Sequence, residues 1–98
     1  MNMQAILKQA QNMQKDMLKI KEEIDQTVFV GGSSLVKVEV YGTKKIKSVK
    51  INFEESLDVE DAEFLEDMIM VALNSAMSQI DDVTEKKMGK FNNIPGLF

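Results

Sequence analysis

The 98-residue sequence contains no cysteine, histidine, tryptophan or arginine, and only one proline. Without cysteine and histidine it has no thiolate nucleophile, no disulfide, no thiolate or imidazole metal ligand and no ordinary general base near neutral pH. Without arginine it has no guanidinium fork to grip a phosphate or a guanine with two hydrogen bonds. No loop has the spacing of an EF-hand. We therefore expect no catalysis, no metal site and no cofactor.

Long apolar runs are also absent. No stretch of 18 apolar residues could span a membrane, and the first residues lack the apolar core of a signal peptide. The chain is 44% hydrophobic and 29% charged, an ordinary globular composition for one small domain over residues 1–98. A cytoplasmic protein is the expectation.

The charge is divided unevenly along the chain. The net charge is −4, yet residues 1–50 carry nine lysines against five acidic residues, whereas residues 51–98 carry three lysines against eleven. The Debye length at physiological salt is about 8 Å, so a basic face can meet a polyanion while a distant acidic face is screened.

The first 26 residues predict one long helix. They contain no glycine or proline, and their apolar positions recur at alternating steps of three and four, as in a heptad seam. The seam consists of Met3, Ile6, Ala10, Met13, Met17, Ile20 and Ile24.

Residues 27–54 predict a three-stranded antiparallel sheet. The run from Val28 to Val30 favours a short strand, and GGSS is typical of a loop. Val36, Val38 and Val40 alternate with polar residues, which predicts a strand with one buried face. A third strand is expected from about residue 46 to 53, with Val49, Ile51 and Phe53 on one face and Ile46, Ser48, Lys50 and Asn52 on the other.

Residues 57–90 predict a second long helix. Ser56 or Asp58 could cap its start, and acidic residues crowd its first turns, where the helix dipole favours them. Gly89 could end it, and the tail 91–98 contains proline and glycine and is expected to be irregular.

The expected fold class is therefore α+β: helix, antiparallel sheet, helix. A strand of six residues is about 20 Å long, whereas the first helix would be about 36 Å long. The helices must overhang the sheet, and the heptad seam would leave apolar residues exposed on the overhang. A homodimer that buries the seam is favoured over packing of the first helix only on the second helix of its own chain.

Three stretches together resemble the YbaB/EbfC family of bacterial nucleoid-associated proteins. They are LKQAQNMQKDMLKIKEEI, GSSLVKVEVYGTKKIKSVKIN and LEDMIMVALNSAMSQIDDVTEKKM, and with the PGLF tail they cover nearly the whole chain. The resemblance implies a tweezer-like α+β homodimer that binds and reshapes duplex DNA in the nucleoid and affects gene expression. The lack of arginine predicts weak sequence specificity.

Three lysine clusters are candidates for contacts with DNA phosphates. On residues alone each has a plain alternative: the outer face of a helix, a lysine-protected sheet edge, or cations at a helix C-terminus. The family resemblance favours phosphate contact. The candidates are Lys8, Lys15 and Lys19 in the first helix, Lys44, Lys45, Lys47 and Lys50 in TKKIKSVK, and Lys86, Lys87 and Lys90 near the C-terminus.

Two other functions can be set against DNA binding. The acidic pairs Glu54-Glu55 and Asp81-Asp82 could be imagined as catalytic carboxylates, but no pocket-forming sequence lies near them. The methionine-rich helices could instead serve a protein–protein adaptor that never touches DNA. Reversing the charge of the lysine clusters would separate that adaptor from a DNA-binding protein.

Overall fold

The computed structural model describes residues 2–52 and 58–91 and shows an α+β fold, as predicted. Helix α1 (Met3–Gln26) is followed by strands β1 (Val28–Gly32), β2 (Val36–Tyr41) and β3 (Ile46–Ile51). Helix α2 (Ala62–Met88) comes after a 3₁₀ turn at Val59–Asp61, and a second 3₁₀ turn follows at Gly89–Phe91. The α-helix thus begins five residues later than the expected start at residue 57. Ser56, Phe53 and the tail beyond Phe91 lie outside the described residues.

Helix α1 begins and ends where its local chemistry requires. The Asn2 side chain accepts a hydrogen bond from the Gln4 backbone N–H (3.0 Å), which satisfies one of the free donors of the first turn. At the other end the Thr27 hydroxyl donates to the Glu23 carbonyl (2.6 Å). The β-prone run from Val28 to Val30 then continues directly as a strand.

The sheet is antiparallel in the order β1-β2-β3, and one face of β2 forms the core. Val36, Val38 and Val40 are buried, as their alternation predicts. Opposite them on β3 lie Ile51, Val49 and Ile46 respectively.

The predicted faces of β3 are partly wrong because the strand contains a β-bulge. Glu39 pairs with Ser48 but Val40 pairs with Ile46, so Lys47 is the extra residue. The bulge resets the alternation. Ile46 therefore joins the core face, and the ammonium of Lys47 lies on the outer face near Glu39.

The two glycines of GGSS belong to β1 rather than to a loop. A Cβ on Gly31 would lie 2.1 Å from the Ala72 carbonyl oxygen and 2.8 Å from the Ala76 nitrogen. Glycine is required here because the backbones of β1 and α2 are in contact. The turn that follows holds α2 as well, since the Ser33 hydroxyl donates to the Met68 carbonyl (3.0 Å).

Helix α2 packs over β1 and β2 through a buried stripe of Met68, Ala72, Ala76 and Ile80, each four residues from the next. The Gln79 amide donates to the Val30 carbonyl of β1 (2.9 Å). This bond fixes the side of α2 that carries Gln79 at the β1 edge of the sheet. The helix covers β3 less completely.

The β2–β3 hairpin contacts the end of α1. A Cβ on Gly42 would lie 1.8 Å from the Ile24 carbonyl oxygen, so glycine lets the hairpin approach the helix backbone. In the same turn Lys44 adopts a left-handed conformation (φ 73°), and its N–H donates to the Tyr41 carbonyl (2.8 Å). A non-glycine residue in this conformation is strained by about 1 kcal/mol.

The molecule is strongly elongated. It extends 71 × 19 × 14 Å with a radius of gyration of 19.8 Å, against about 13 Å for a compact chain of this length. The C-terminal half of α1 packs on α2, whereas residues 2–12 are all exposed. We call α1 together with the C-terminal part of α2 the arm. No helix among the described residues is long and apolar enough to cross a membrane.

Candidate nucleic-acid interface

The three lysines predicted on α1 form one row along the arm. Lys8, Lys15 and Lys19 are exposed, and steps of seven and four residues keep them on one side of the helix. That side is opposite the seam, whose last residue, Ile24, is buried. We call these three residues the α1 lysine row.

The C-terminal lysines lie on the other helix of the arm. Lys86 and Lys87 occupy the last turn of α2, where the helix dipole favours cations, and Lys90 lies in the following 3₁₀ turn. The Lys90 ammonium is 5.1 Å from the centre of the Phe91 ring, and Phe91 is buried. The buried ring therefore anchors the chain beside an exposed charge.

The four lysines of TKKIKSVK do not form one patch. The Lys44 ammonium pairs with Asp81 of α2 at 2.9 Å, and both side chains are largely exposed. Lys45 is exposed at the hairpin, where its N–H donates to the Thr43 hydroxyl (3.3 Å). Lys47 and Lys50 lie on β3. Because Asp81 already neutralises it, Lys44 is less available to a phosphate than the other three.

The outer face of the sheet carries a further lysine that was not among the predicted contacts. Lys37 of β2 lies directly opposite Lys50 of β3, and Glu39 follows next along the same face of β2. The alternation of VKVEV already placed Lys37 on the polar face of its strand. Its partner across the strands could not be predicted in this way, because pairing depends on register.

Glu39 is the acidic centre of this face. The Ser48 hydroxyl donates to its Oε1 (2.8 Å), and the Lys47 ammonium is 3.9 Å from its Oε2. The hydrogen bond from Ser48, followed by the charges of Lys47, Lys50 and Lys37, lowers the pKa of Glu39, although partial desolvation acts in the opposite direction. The carboxylate is therefore ionised near neutral pH.

The seven residues proposed for a dimer seam have different environments. Met3, Ile6 and Ala10 are exposed, Met13, Met17 and Ile20 are half-buried, and Ile24 is buried within its own chain. Helix α2 thus covers the C-terminal part of the seam, whereas the N-terminal part is exposed to solvent.

A second exposed apolar surface lies between β3 and α2, and the sequence did not predict it. Ile46 and Val49 face the core side of the sheet but remain 46% and 44% exposed. Leu73 and Met77 lie on the flank of α2 away from Gln79, since successive residues of a helix turn by about 100°. Because Gln79 is at the β1 edge, this flank faces the β3 side. We call this surface the β3–α2 cleft.

The acidic side chains form no cluster suited to metal binding in the part of the chain described. No group of three or more converges as metal ligands would within residues 2–52 and 58–91. Asp81 and Asp82 are exposed, and Asp81 pairs with Lys44. Glu54 and Glu55 lie outside the described residues.

The sequence matches a DNA-binding family and proteins named as nucleoid-associated. The family model described as the YbaB/EbfC DNA-binding family matches residues 1–94. A nucleoid-associated protein of Lactococcus lactis subsp. cremoris (strain MG1363) is 52% identical over 93 residues, covering 93% of each chain. A nucleoid-associated protein of Ligilactobacillus salivarius (strain UCC118) is 43% identical over 100 residues, covering 99% of this chain and 95% of the relative.

The fold also matches a solved structure. An uncharacterized protein from Helicobacter pylori superposes with a TM-score of 0.68 and covers 94% of this chain and 96% of its own. The two sequences are 21% identical, so this likeness concerns the fold alone.

Proposed function

Because this chain belongs to the YbaB/EbfC DNA-binding family, we propose that it is a nucleoid-associated protein that binds duplex DNA. The observation that carries the proposal is the α1 lysine row, which lies exposed on the projecting arm. It is accompanied on the other helix of the arm by Lys86, Lys87 and Lys90. No observation favours the alternative of a protein–protein adaptor.

Lysine–phosphate contacts would supply most of the binding free energy. Lysine is a point charge without the bidentate geometry that reads guanine, and the chain has no arginine. We therefore propose that binding has little sequence specificity and depends on the charge and shape of the duplex. By altering DNA conformation the protein would contribute to nucleoid organisation and gene regulation, without catalysis or a cofactor.

Part of the acidic charge lies far from the lysine clusters, although seven acidic residues of α1 and of the C-terminal part of α2 lie on the arm itself. Six of the described ones fall between Asp58 and Asp67, at the end of α2 that is remote from the arm. Helix α2 has 27 residues and is about 40 Å long, several times the Debye length at physiological salt. Phosphates at the arm are thus largely screened from these carboxylates.

We also propose that the protein is a homodimer. The β3–α2 cleft exposes apolar residues on the core side of the sheet, and Met70 of α2 is 59% exposed. The N-terminal seam residues Met3 and Ile6 are exposed too. Apolar surface of this extent is typical of an interface, and a second copy would cover it symmetrically. A dimer would carry two arms, as in the tweezer-like shape that the family resemblance implies.

Sedimentation equilibrium tests the dimer. We expect the wild-type protein to sediment at twice its chain mass of 11.1 kDa and the Val49→Glu variant to sediment as a single chain, because a carboxylate in the cleft would be buried without a partner. Val59→Glu adds the same charge at a residue that is 93% exposed and should remain dimeric. A wild-type mass of one chain would contradict the proposal.

Fluorescence anisotropy with a labelled duplex, titrated across salt concentration, tests DNA binding. We expect log affinity to fall linearly with log salt, by about 0.9 for each neutralised phosphate. Six lysines of one arm would give a slope of about −5 for each protomer if all of them contact phosphates. A duplex of unrelated sequence should bind with similar affinity. The absence of binding at low salt would refute the proposed function.

A further inference from the structure

We infer that the outer face of the sheet is a second contact surface for duplex DNA, formed by Lys37, Lys47 and Lys50 and moderated by Glu39. This inference rests on the proposed function and deepens it. Lys37 adds a contact residue that the lysine clusters of the sequence did not include, and Glu39 acquires a role as an internal counter-charge.

The three ammonium groups share one open surface. The bulge in β3 turns Lys47 outward, so its Nζ lies 3.9 Å from Glu39 Oε2 and 6.0 Å from the centre of the Tyr41 ring. Lys37 and Lys50 are cross-strand partners on the same face, and both are exposed. The charges of Lys47, Lys50 and Lys37 all lower the pKa of Glu39, in keeping with their position on the same face.

The charge of this face favours a polyanion. Glu39 offsets one of the three lysines, so each protomer presents two uncompensated positive charges here. Two like charges placed directly opposite across strands destabilise a sheet. A phosphate between Lys37 and Lys50 would remove that repulsion, so DNA binding would relieve an unfavourable contact of the free protein.

Protection of the sheet edge does not account for this arrangement. β3 is an edge strand, and Lys50 alone could guard it against pairing with another sheet. Lys37, however, belongs to the central strand β2 and has no edge to protect. Edge protection thus explains Lys50 but not Lys37, whereas phosphate contact fits the charge and the exposure of both.

The sheet face is separate from the α1 lysine row. From Lys37 to the hairpin at Tyr41 is about 13 Å along β2, and from Gln26 to Lys8 is about 27 Å along α1. The molecule is 71 Å long, and the hairpin end of β2 meets the C-terminal end of α1 at Gly42. The far members of the two lysine groups, Lys37 and Lys8, are thus several Debye lengths apart, whereas Lys47, beside Tyr41, and Lys19 lie nearer to the junction of the hairpin with α1.

The test is anisotropy with a mixed-sequence duplex, titrated across salt for the wild type and for variants. For the triple variant Lys37→Gln, Lys47→Gln and Lys50→Gln we expect a slope shallower by up to about 2.7 for each protomer. Lys21→Gln is the matched control. It removes one exposed lysine outside both groups, already paired with Asp25 at 3.4 Å, and should leave the slope unchanged.

Two single variants separate phosphate contact from structural damage. Lys37→Gln should raise the melting temperature, by removing the cross-strand repulsion, while making the slope shallower by about 0.9. Glu39→Gln keeps an acceptor for Ser48 but removes the counter-charge, and should tighten binding about twofold to fivefold. Damage to the fold would instead lower the melting temperature of Lys37→Gln and weaken the DNA binding of Glu39→Gln.

The outcomes are distinct. A wild type that binds no duplex overturns both this inference and the proposed function. A wild type that binds, together with a triple variant of unchanged slope and affinity, overturns only the sheet surface. It would leave the outer face for another partner and the α1 lysine row as the DNA contact. A shallower slope in the triple variant together with tighter binding by Glu39→Gln establishes the second surface.

Discussion

Reversing the α1 lysine row should weaken duplex-DNA binding by on the order of 100-fold at physiological salt. In the variant Lys8→Glu, Lys15→Glu and Lys19→Glu, three contacts that release counterions are lost and three carboxylates repel the phosphates. All three side chains are exposed, so the fold should be preserved. Anisotropy at fixed salt measures the affinity, and circular dichroism checks the helix content.

A graded comparison makes this result specific. Glutamine has nearly the helix propensity of lysine, so the same three positions changed to glutamine should give a smaller loss with no change in helix content. Lys21→Gln, on the same helix but paired with Asp25, should bind like the wild type. An affinity that survives charge reversal would show that the α1 lysine row does not hold the DNA.

Gly31→Ala should reduce the free energy of unfolding by about 3 kcal/mol. The new Cβ would collide with the Ala72 carbonyl oxygen and the Ala76 nitrogen, and both belong to helix backbone, which cannot rotate away as a side chain can. β1 and α2 would have to separate, which would open the core around Phe29. Urea unfolding followed by circular dichroism measures the change.

The neighbouring glycine provides the control. A Cβ on Gly32 would meet only the Val36 carbonyl oxygen at 3.7 Å, an ordinary contact, so Gly32→Ala should change stability by less than about 0.5 kcal/mol. Equal effects at both positions would mean that the loss comes from backbone conformation and not from the contact between β1 and α2.

Much of the fold could be predicted from the sequence because its patterns are local. The uninterrupted steps of three and four predicted α1, and the alternation of Val36, Val38 and Val40 predicted a buried strand face. The faces of β3 could not be predicted in the same way. An extra residue such as Lys47 resets the alternation only when the strand pairs with its neighbour, and the sequence carries no separate signal for it.

The candidate site was predicted as three runs of lysines, and the structure redistributes them. Runs such as TKKIKSVK are read by their spacing in sequence, yet Asp81 reaches Lys44 from another element and the strand register brings Lys37 opposite Lys50. The role of Gly31 also became visible only in the folded chain. In the sequence it is typical of a loop, whereas in the fold it is the point where a strand touches a helix.

The class of fold, the basic character of the first half of the chain and the absence of thiolate, imidazole and guanidinium chemistry could all be predicted from the order of the amino acids. These follow from composition and from periodicities of two and 3.6 residues, which are properties of neighbouring positions. Tertiary structure alone decided which apolar faces remain open, which lysines are already paired and which lysines share a surface. Those properties depend on contacts between residues distant in sequence, and strand register and helix placement set such contacts.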